Sequence, residues 1–321
     1  MKIFVTGSTG FLGKNLVARL LAEKHYVKTL VRNPHLPTVS SKPVIGNLSN
    51  IHNWAKELKD CDIVIHCAAK VAVWGKWEEF YDTNVKSTLQ LLQAAETNQV
   101  QRFIYISSEA VLQSKDDLVD IDENHPYPEN PNSFYGRSKQ IAEKEILKFQ
   151  GKISKIILRP SFIYGSESWT VESLKKSILS GKFIWVNKGN VKVEMVYVKN
   201  VVEAIVKSLT NGKNNGIYNI TDHSELTAKE FFSALMATQN ITISDRSIPT
   251  VIAKPAASII ETIWRVFKIN TNPPLTRFEL SLLAMNRKYK TEKAIQELGY
   301  HPIYSTKQAL EEMANNFQKI N

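Results

Sequence analysis

Cysteine is scarce in this chain, with two in 321 residues, Cys61 and Cys67, one on either side of a short apolar run. No disulfide framework can be built from them, so the expected compartment is a reducing one, read as the cytoplasm. Unbroken apolar runs of eighteen or more residues are also missing, which argues against a membrane-spanning helix. Lys2 to Thr6 is already strand-like, and no basic leader with a cleavage site precedes it, so no signal peptide is expected. No set of His, Cys and carboxylates has ligand spacing, so no metal is expected, and His66 and Cys67 read as core or wall residues. Basic residues exceed acidic ones, 41 Lys+Arg against 31 Asp+Glu, for a net charge of +10. They are scattered instead of forming a block, and no nucleic-acid-binding pattern accompanies them, so a nucleic-acid partner is not expected. Small anionic ligands or an anionic surface remain.

What is present is a 43% hydrophobic composition, enough for a sizeable core. Short β-branched runs alternate with amphipathic stretches through the first half. Strands are expected at Lys2–Thr6, Val27–Val31, Val44–Ile45, Ile63–His66, Phe103–Ser107 and Lys155–Leu158, and helices at Phe11–Glu23, Trp77–Asn98 and Phe134–Gln150. This is the pattern of an α/β fold with a doubly wound parallel sheet. After Arg159-Pro160 short pieces alternate irregularly, with turn signals at Asn211-Gly212, Asn214-Asn215-Gly216 and Pro273-Pro274. The expectation is a first lobe at 1–165, to which 193–210 returns, and a smaller mixed α/β substrate lobe at 166–321.

Directly after the first strand comes Gly7-Ser8-Thr9-Gly10-Phe11-Leu12-Gly13, and Phe11 opens a helix. Gly7 permits the tight turn, Gly10 lets backbone approach a pyrophosphate, and Gly13 lets helix and sheet pack closely. The helix N-terminus offers N–H groups to phosphate, so a dinucleotide site on a Rossmann sheet is expected. The second strand ends Leu30-Val31-Arg32-Asn33-Pro34, with a cation where an acid would hold the ribose 2′-hydroxyl of NAD. Arg32 suits a 2′-phosphate, so NADP(H) is favoured and NAD(H) stays open.

Tyr135 and Lys139 stand four apart at the start of a helix, on one face. Lowering a phenol by about three pKa units takes roughly 4 kcal/mol of differential stabilisation, which a nearby ammonium helps to supply. Lys139 is also expected to hold the nicotinamide ribose. Upstream, an apolar strand ends in Ser107-Ser108, at the carboxyl edge where ligands bind in open α/β sheets. A serine there can hydrogen-bond a substrate oxygen beside Tyr135.

With the Gly-x-x-Gly-x-x-Gly turn, these residues resemble an extended short-chain dehydrogenase/reductase with the NAD-dependent epimerase/dehydratase type of fold. More narrowly the chain is similar to the 3β-hydroxysteroid dehydrogenase/isomerase family. The likeness runs on through Asp62-Ile-Val-Ile-His66-Cys-Ala-Ala69-Lys70, Trp74-Gly75-Lys76-Trp77, Phe80 to Thr88, Arg159-Pro160-Ser161-Phe162-Ile163-Tyr164-Gly165, Val198-Lys199-Asn200-Val201, Pro273 to Phe278 and Leu298-Gly299-Tyr300-His301-Pro302. It implies Ser108, Tyr135 and Lys139 as the catalytic set, with Ser107 beside the nicotinamide. It also implies cofactor contacts from Ala68, Ala69 and Lys70, and from Pro160 and Ile163. Gly46-Asn47-Leu48 resembles the turn bordering the adenine, with Asn47 replacing the usual acid but keeping a carbonyl acceptor. Asn84 is left between a place near the proton path and a purely bridging role.

The implied activity is interconversion of a secondary alcohol and a ketone on a bulky apolar substrate, as in steroid dehydrogenases. The stretch from Ala68 to Gly75 resembles 2-alkyl-3-oxoalkanoate reductases equally. A sugar-nucleotide epimerase or dehydratase and a non-catalytic NADP sensor are the remaining alternatives, and a homodimer is left open. Residues 251–269 are the most apolar part of the second lobe, with Trp264 and Phe267 among Lys254, Arg265 and Lys268. They read first as a helix closing the substrate pocket, and alternatively as one lying at a membrane surface, which would make a cytoplasmic protein peripheral to the membrane.

Overall fold

The computed structural model describes residues 1–33, 41–269 and 271–320. Its strands are β1 (Lys2–Thr6), β2 (Tyr26–Val31), β3 (Lys42–Ile45), β4 (Ile63–His66), β5 (Arg102–Ile106), β6 (Leu118–Ile121) and β7 (Ser154–Pro160). Then follow β8 (Phe162–Tyr164), β9 (Trp185–Val186), β10 (Met195–Tyr197), β11 (Gly216–Ile220), β12 (Ser247–Ile248) and β13 (Arg287–Tyr289). The helices are α1 (Phe11–Ala22), α2 (Trp77–Tyr81), α3 (Ser87–Thr97), α4 (Phe134–Lys148) and α5 (Trp169–Leu179). They continue with α6 (Val198–Lys207), α7 (Ala228–Ala237), α8 (Thr250–Val266), α9 (Arg277–Ala284) and α10 (Thr306–Ile320).

Seven strands form one sheet in the order β11-β7-β5-β4-β1-β2-β3, every pair parallel. Successive side chains alternate between its faces. Ile3, Val5, Ile63, Ile65, Ile104, Ile156 and Leu158 pack on α1 and α6 through Leu16, Val17, Leu20, Val201 and Ile205. Phe4, Val64, Phe103, Tyr105 and Ile157 face the other way, onto α3 and α4 through Leu91, Leu92, Ala142 and Ile146. Burial on both faces is why these strands read as continuous apolar runs. The chain winds outward from β1 in both directions, so a crevice opens above the carboxyl ends of β1 and β4, where such sheets bind ligands.

The doubly wound sheet agrees with the expectation, with two differences. The stretch expected as one helix from Trp77 to Asn98 is α2 and α3 joined by a wide π turn at Asp82–Lys86. A π turn adds a residue without breaking the helix, so the apolar spacing barely registers it. The edge strand β11 was not expected at all. It pairs with β7 in the register Gly216↔Ile156 to Ile220↔Pro160, a long-range match that no local pattern announces. A separate core forms around Tyr164, Trp185, Met195, Phe231 and Phe232, from β8, β9, β10 and α7. No helix among the described residues is long and apolar enough to cross a membrane.

Candidate active site

Above the crevice lies one cavity of about 1090 Å³, which reaches from the glycine turn to the second core. The turn holds its shape for steric reasons. Gly7 has φ +72°, and a Cβ there would stand 2.6 Å from the Ala68 nitrogen, so β1 and β4 close together over their ends. A Cβ on Gly13 would meet the Gly7 carbonyl oxygen at 2.1 Å, so α1 approaches the turn as closely as backbone allows. No side chain caps α1 at Gly10. Its first turn therefore points N–H groups into the cavity, a place for an anion.

Gly7, Thr9, Gly10, Phe11, Leu12 and Gly13 all line the cavity. So do Arg32 and Leu48 at one end, Ala68 and Ala69 over the crevice, and Pro160 and Ile163 beneath. Pro34, which followed Arg32 in the sequence reading, lies outside the described residues. Two other expected contacts turn elsewhere. Ser8 is buried with its hydroxyl toward the Leu30 carbonyl, and the Lys70 ammonium pairs with Glu79 at 2.6 Å while lying over the Phe80 ring. Asn47 lines the cavity, but its carbonyl oxygen caps the following turn, accepting from Ser49 N–H at 2.9 Å and Asn50 N–H at 3.1 Å. Its amide nitrogen, not the expected acceptor, is what remains for a ligand.

Ser108, Tyr135 and Lys139 come together at the middle of the cavity, which all three line. Ser108 lies two residues past the end of β5, and its hydroxyl accepts from Ala110 N–H at 3.2 Å. Tyr135 stands in the first turn of α4, which is capped by the Ser133 hydroxyl accepting from Gly136 N–H at 3.0 Å. Burial pushes the Tyr135 phenol up to about 12, against a hydrogen bond to Ser108 that pulls it down. Burial likewise drops Lys139 to about 7, partly offset by Glu143, and its ammonium donates to the Ile106 carbonyl at 2.6 Å over the Tyr105 ring. In the protein alone Lys139 is not among the groups that shift Tyr135. Its ammonium is engaged instead by the Ile106 carbonyl at the end of β5.

Ser107 and Ser161 line this cavity, and their buried hydroxyls lack a protein partner. Together with the uncapped helix and the glycine cradle, such unsatisfied groups fit a ligand with many acceptors, as a dinucleotide is. His66 links the sheet to α3, with Nδ1 2.6 Å from Thr6 Oγ1 and Nε2 2.9 Å from Thr88 Oγ1. Burial, then the Lys139 charge, lowers it to about 3, so it is neutral. Burial pushes the Cys67 thiol up to about 12, which leaves it inert on the cavity wall. The described residues contain no group of three His, Cys, Asp or Glu placed for a metal ion.

Asn84 proves to be a strap. From the π turn its side chain accepts from Lys70 N–H at 2.7 Å and donates to the Lys70 carbonyl at 3.0 Å and the Ser138 hydroxyl at 2.9 Å. It thus binds the Ala69-Lys70 loop to the helix carrying Tyr135. Sequence reasoning also missed the buried Arg159–Glu143 pair, 2.7 Å from Nη2 to Oε2, which clamps α4 to β7 with Tyr127 hydrogen-bonded to both partners. Glu143 lies one turn beyond Lys139, the only local hint of it.

Beyond Tyr135 the cavity turns apolar. Phe278 of α9 meets the tyrosine edge-on at 6.2 Å, and Leu174, Phe183, Val186, Phe232 and Leu283 continue the wall.

The model of the NAD dependent epimerase/dehydratase family matches residues 3–221. The chain belongs to that family. A 4-hydroxy-2-methyl-3-oxo-4-farnesyl-3,4-dihydroquinoline-1-oxide ketoreductase of Stigmatella aurantiaca is 31% identical over 94% of this chain and 92% of its own length. A decarboxylating sterol-4-alpha-carboxylate 3-dehydrogenase of Dictyostelium discoideum is 28% identical, covering 97% and 99%. Among solved structures, that of gox2253 superposes with a TM-score of 0.80 at 27% identity, covering 99% of this chain and 98% of that one. The family and relatives agree with the expected likeness to steroid dehydrogenases, and this family member is an oxidoreductase dependent on a nicotinamide dinucleotide.

Proposed function

We propose that the enzyme interconverts a secondary alcohol and a ketone on a bulky apolar molecule, with Tyr135 as the proton-transferring residue. One observation carries this reading: Ser108 and Tyr135 stand where the polar, glycine-lined half of the cavity meets its apolar half. A nicotinamide dinucleotide held by the glycine turn would supply or accept the hydride, and everything else falls to the chain. The Ser108 hydroxyl orients and polarises the substrate oxygen. A Tyr135 phenol at about 12 holds its proton at neutral pH, as a general acid for ketone reduction must. Lys139, near 7 and lining the cavity with Tyr135, would hold the nicotinamide ribose.

Arg32, exposed at the end of β2 on the cavity rim, supports NADP(H) over NAD(H), since it offers a cation to a 2′-phosphate. Residues 166–321 supply most of the substrate wall. Among the described lining residues that half offers one cation, Lys182. A sugar nucleotide would bring a second diphosphate needing more, so an apolar ketone fits better; both the steroid-type and the 3-oxoalkanoate-type substrate meet this condition.

The test is NADPH oxidation screened against steroid ketones, 3-oxo acids and UDP-sugars. Turnover with an apolar ketone is expected, and turnover with UDP-sugars alone overturns the reading. In Tyr135→Phe, turnover should fall about 10²-fold or more while cofactor affinity stays within a few-fold. A variant that keeps wild-type turnover removes Tyr135 from the mechanism.

A further inference from the structure

Helix α8 has two unlike faces. Inward, Ala253 and Ala257 pack on Val186, Leu280 and Ala284, together with Leu275 and Leu283. Val186, Leu275 and Leu283 line the cavity, so α8 is the outer layer of its apolar wall. Outward, Val251, Ile252, Ile259, Val266 and Phe267 stand in solvent, with Val251 at 79%, Val266 at 68% and Phe267 at 72% exposure. A helix that merely closed a pocket would turn these residues in and show a polar outer face.

The charges on α8 are equally one-sided. Its one acid, Glu261, is buried and bound to Arg277 at 2.7 Å. Lys254 and, just past the last turn, Lys268 are exposed beside the apolar residues. Two residues take other positions than the sequence suggested. Arg265 lies over the rings of Trp74 and Phe134, at 4.5 and 4.0 Å, which pins the end of α8 to the loop before α2. Trp264 is half-buried and is not part of the outward face. The start of α8 is tied to the opposite rim, because β12 pairs with β9 and Ile248 and Ile184 both line the cavity. Ile184 and, near Trp74, Val71 are cavity residues that also reach solvent. The helix therefore spans the cavity rim from one side to the other.

We propose that α8 docks, apolar face down, on an anionic lipid bilayer and sets the rim of the cavity against it, so that an apolar substrate enters from lipid. The residues named are those of an interfacial helix: an apolar face, flanking cations and no outward acid. Charge complementarity selects lipid over a second copy of the chain. A symmetric pair would bring each Lys254 and Lys268 toward its own copy and repel, whereas anionic headgroups neutralise them. The docking stands on this face alone, and only the delivery of substrate rests on the activity proposed above.

The experiment is co-sedimentation of the full-length protein, without cofactor or substrate, with phosphatidylglycerol/phosphatidylcholine vesicles and with phosphatidylcholine vesicles. The wild type is expected to pellet with the anionic vesicles and to bind the neutral ones several-fold more weakly. Ile259→Ser combined with Phe267→Ser should lower binding roughly ten-fold or more, and Lys254→Glu with Lys268→Glu should abolish the preference for anionic lipid. All four positions are exposed and outside the cavity, so reduction of a water-soluble ketone should stay unchanged in both variants. Wild-type protein left in the supernatant overturns the proposal, as does equal vesicle binding by the serine variant. If the wild type ignores vesicles and instead sediments as a dimer that the serine variant dissociates, the face belongs to a second copy. Vesicle binding without turnover on any ketone would leave the docking standing and remove the activity.

Discussion

Tyr135 and Ser108 meet because Gly136 has no side chain. A Cβ on Gly136 would stand 2.3 Å from the Ala110 carbonyl oxygen, so α4 can start directly against the turn that follows Ser108. Tyr135 and Lys139 show what burial does at the scale of a residue: it raises the phenol and lowers the ammonium, each toward its neutral form. Arg159 is buried still more completely, yet its guanidinium is held above its ordinary range: burial pulls it down, and Glu143 and Tyr127, both hydrogen-bonded to it, more than offset that. Arg32 is the opposite case, an exposed cation whose worth depends on what it meets. Changing Arg32→Asp should weaken NADPH by roughly ten-fold or more while moving NADH far less, because it replaces a phosphate partner with a like charge. Titration of both cofactors measures this, and equal changes would mean that Arg32 does not read the 2′ position.

At the scale of elements, the site is a matter of how closely ends of strands and helices approach. β1, β4 and α1 converge on Gly7 and Gly13, and the contact distances leave no room for a methyl group. Gly13→Ala should therefore displace α1 from the turn, costing about 1–3 kcal/mol of stability. Cofactor affinity should fall with it, since the helix N-terminus moves. Thermal melts and cofactor titration test this, and unchanged affinity in a folded variant would remove the α1 N-terminus from the phosphate site. The π turn at Asp82–Lys86 is a second device of this kind, because it brings the Asn84 side chain to both the Lys70 backbone and Ser138. The glycine spacing was legible in sequence because each glycine is required where it stands. The strap was not, since Asn84 looks like any other polar residue on a helix until the π turn is known.

At the scale of the whole molecule, β13 returns from the second half of the chain to pair with β6, and its Arg287 bonds to Glu109, next to Ser108, at 3.3 Å. Nearby Glu194 is buried and raised to about 7, chiefly by burial, with a hydrogen bond to Thr221 opposing it. A carboxyl whose folded pKa lies above its unfolded value contributes stability that is complete below the unfolded pKa and is lost as pH rises through the folded one. The window here runs from 4.5 to about 7. Neutral Glu194→Gln has no such loss, so relative to wild type it should gain up to about 3 kcal/mol across that window. Melting curves at about pH 5 and about pH 8 check the sign: the variant's advantage should grow by several degrees toward high pH. Parallel melting at both pH values would show that the folded protein accommodates the Glu194 charge.

What the sequence alone determined is what short range enforces. Alternating apolar runs set the parallel sheet, the glycine spacing set the tight turn between β1 and α1, and Tyr135 with Lys139 set one face of one helix, because each pattern answers to the geometry of neighbouring residues. The placement of β11 at the sheet edge, the clamp of Arg159 on Glu143 and the turning of Lys70 toward Glu79 belong to tertiary structure. So does the division of α8 into a face that walls the cavity and a face left in solvent. An amphipathic pattern states that a helix has an apolar side, but only the packing of α9 and β9 against Ala253 and Ala257 decides which side is covered. Once small residues take the inner contact, Val251, Ile252, Ile259 and Val266 are left outside.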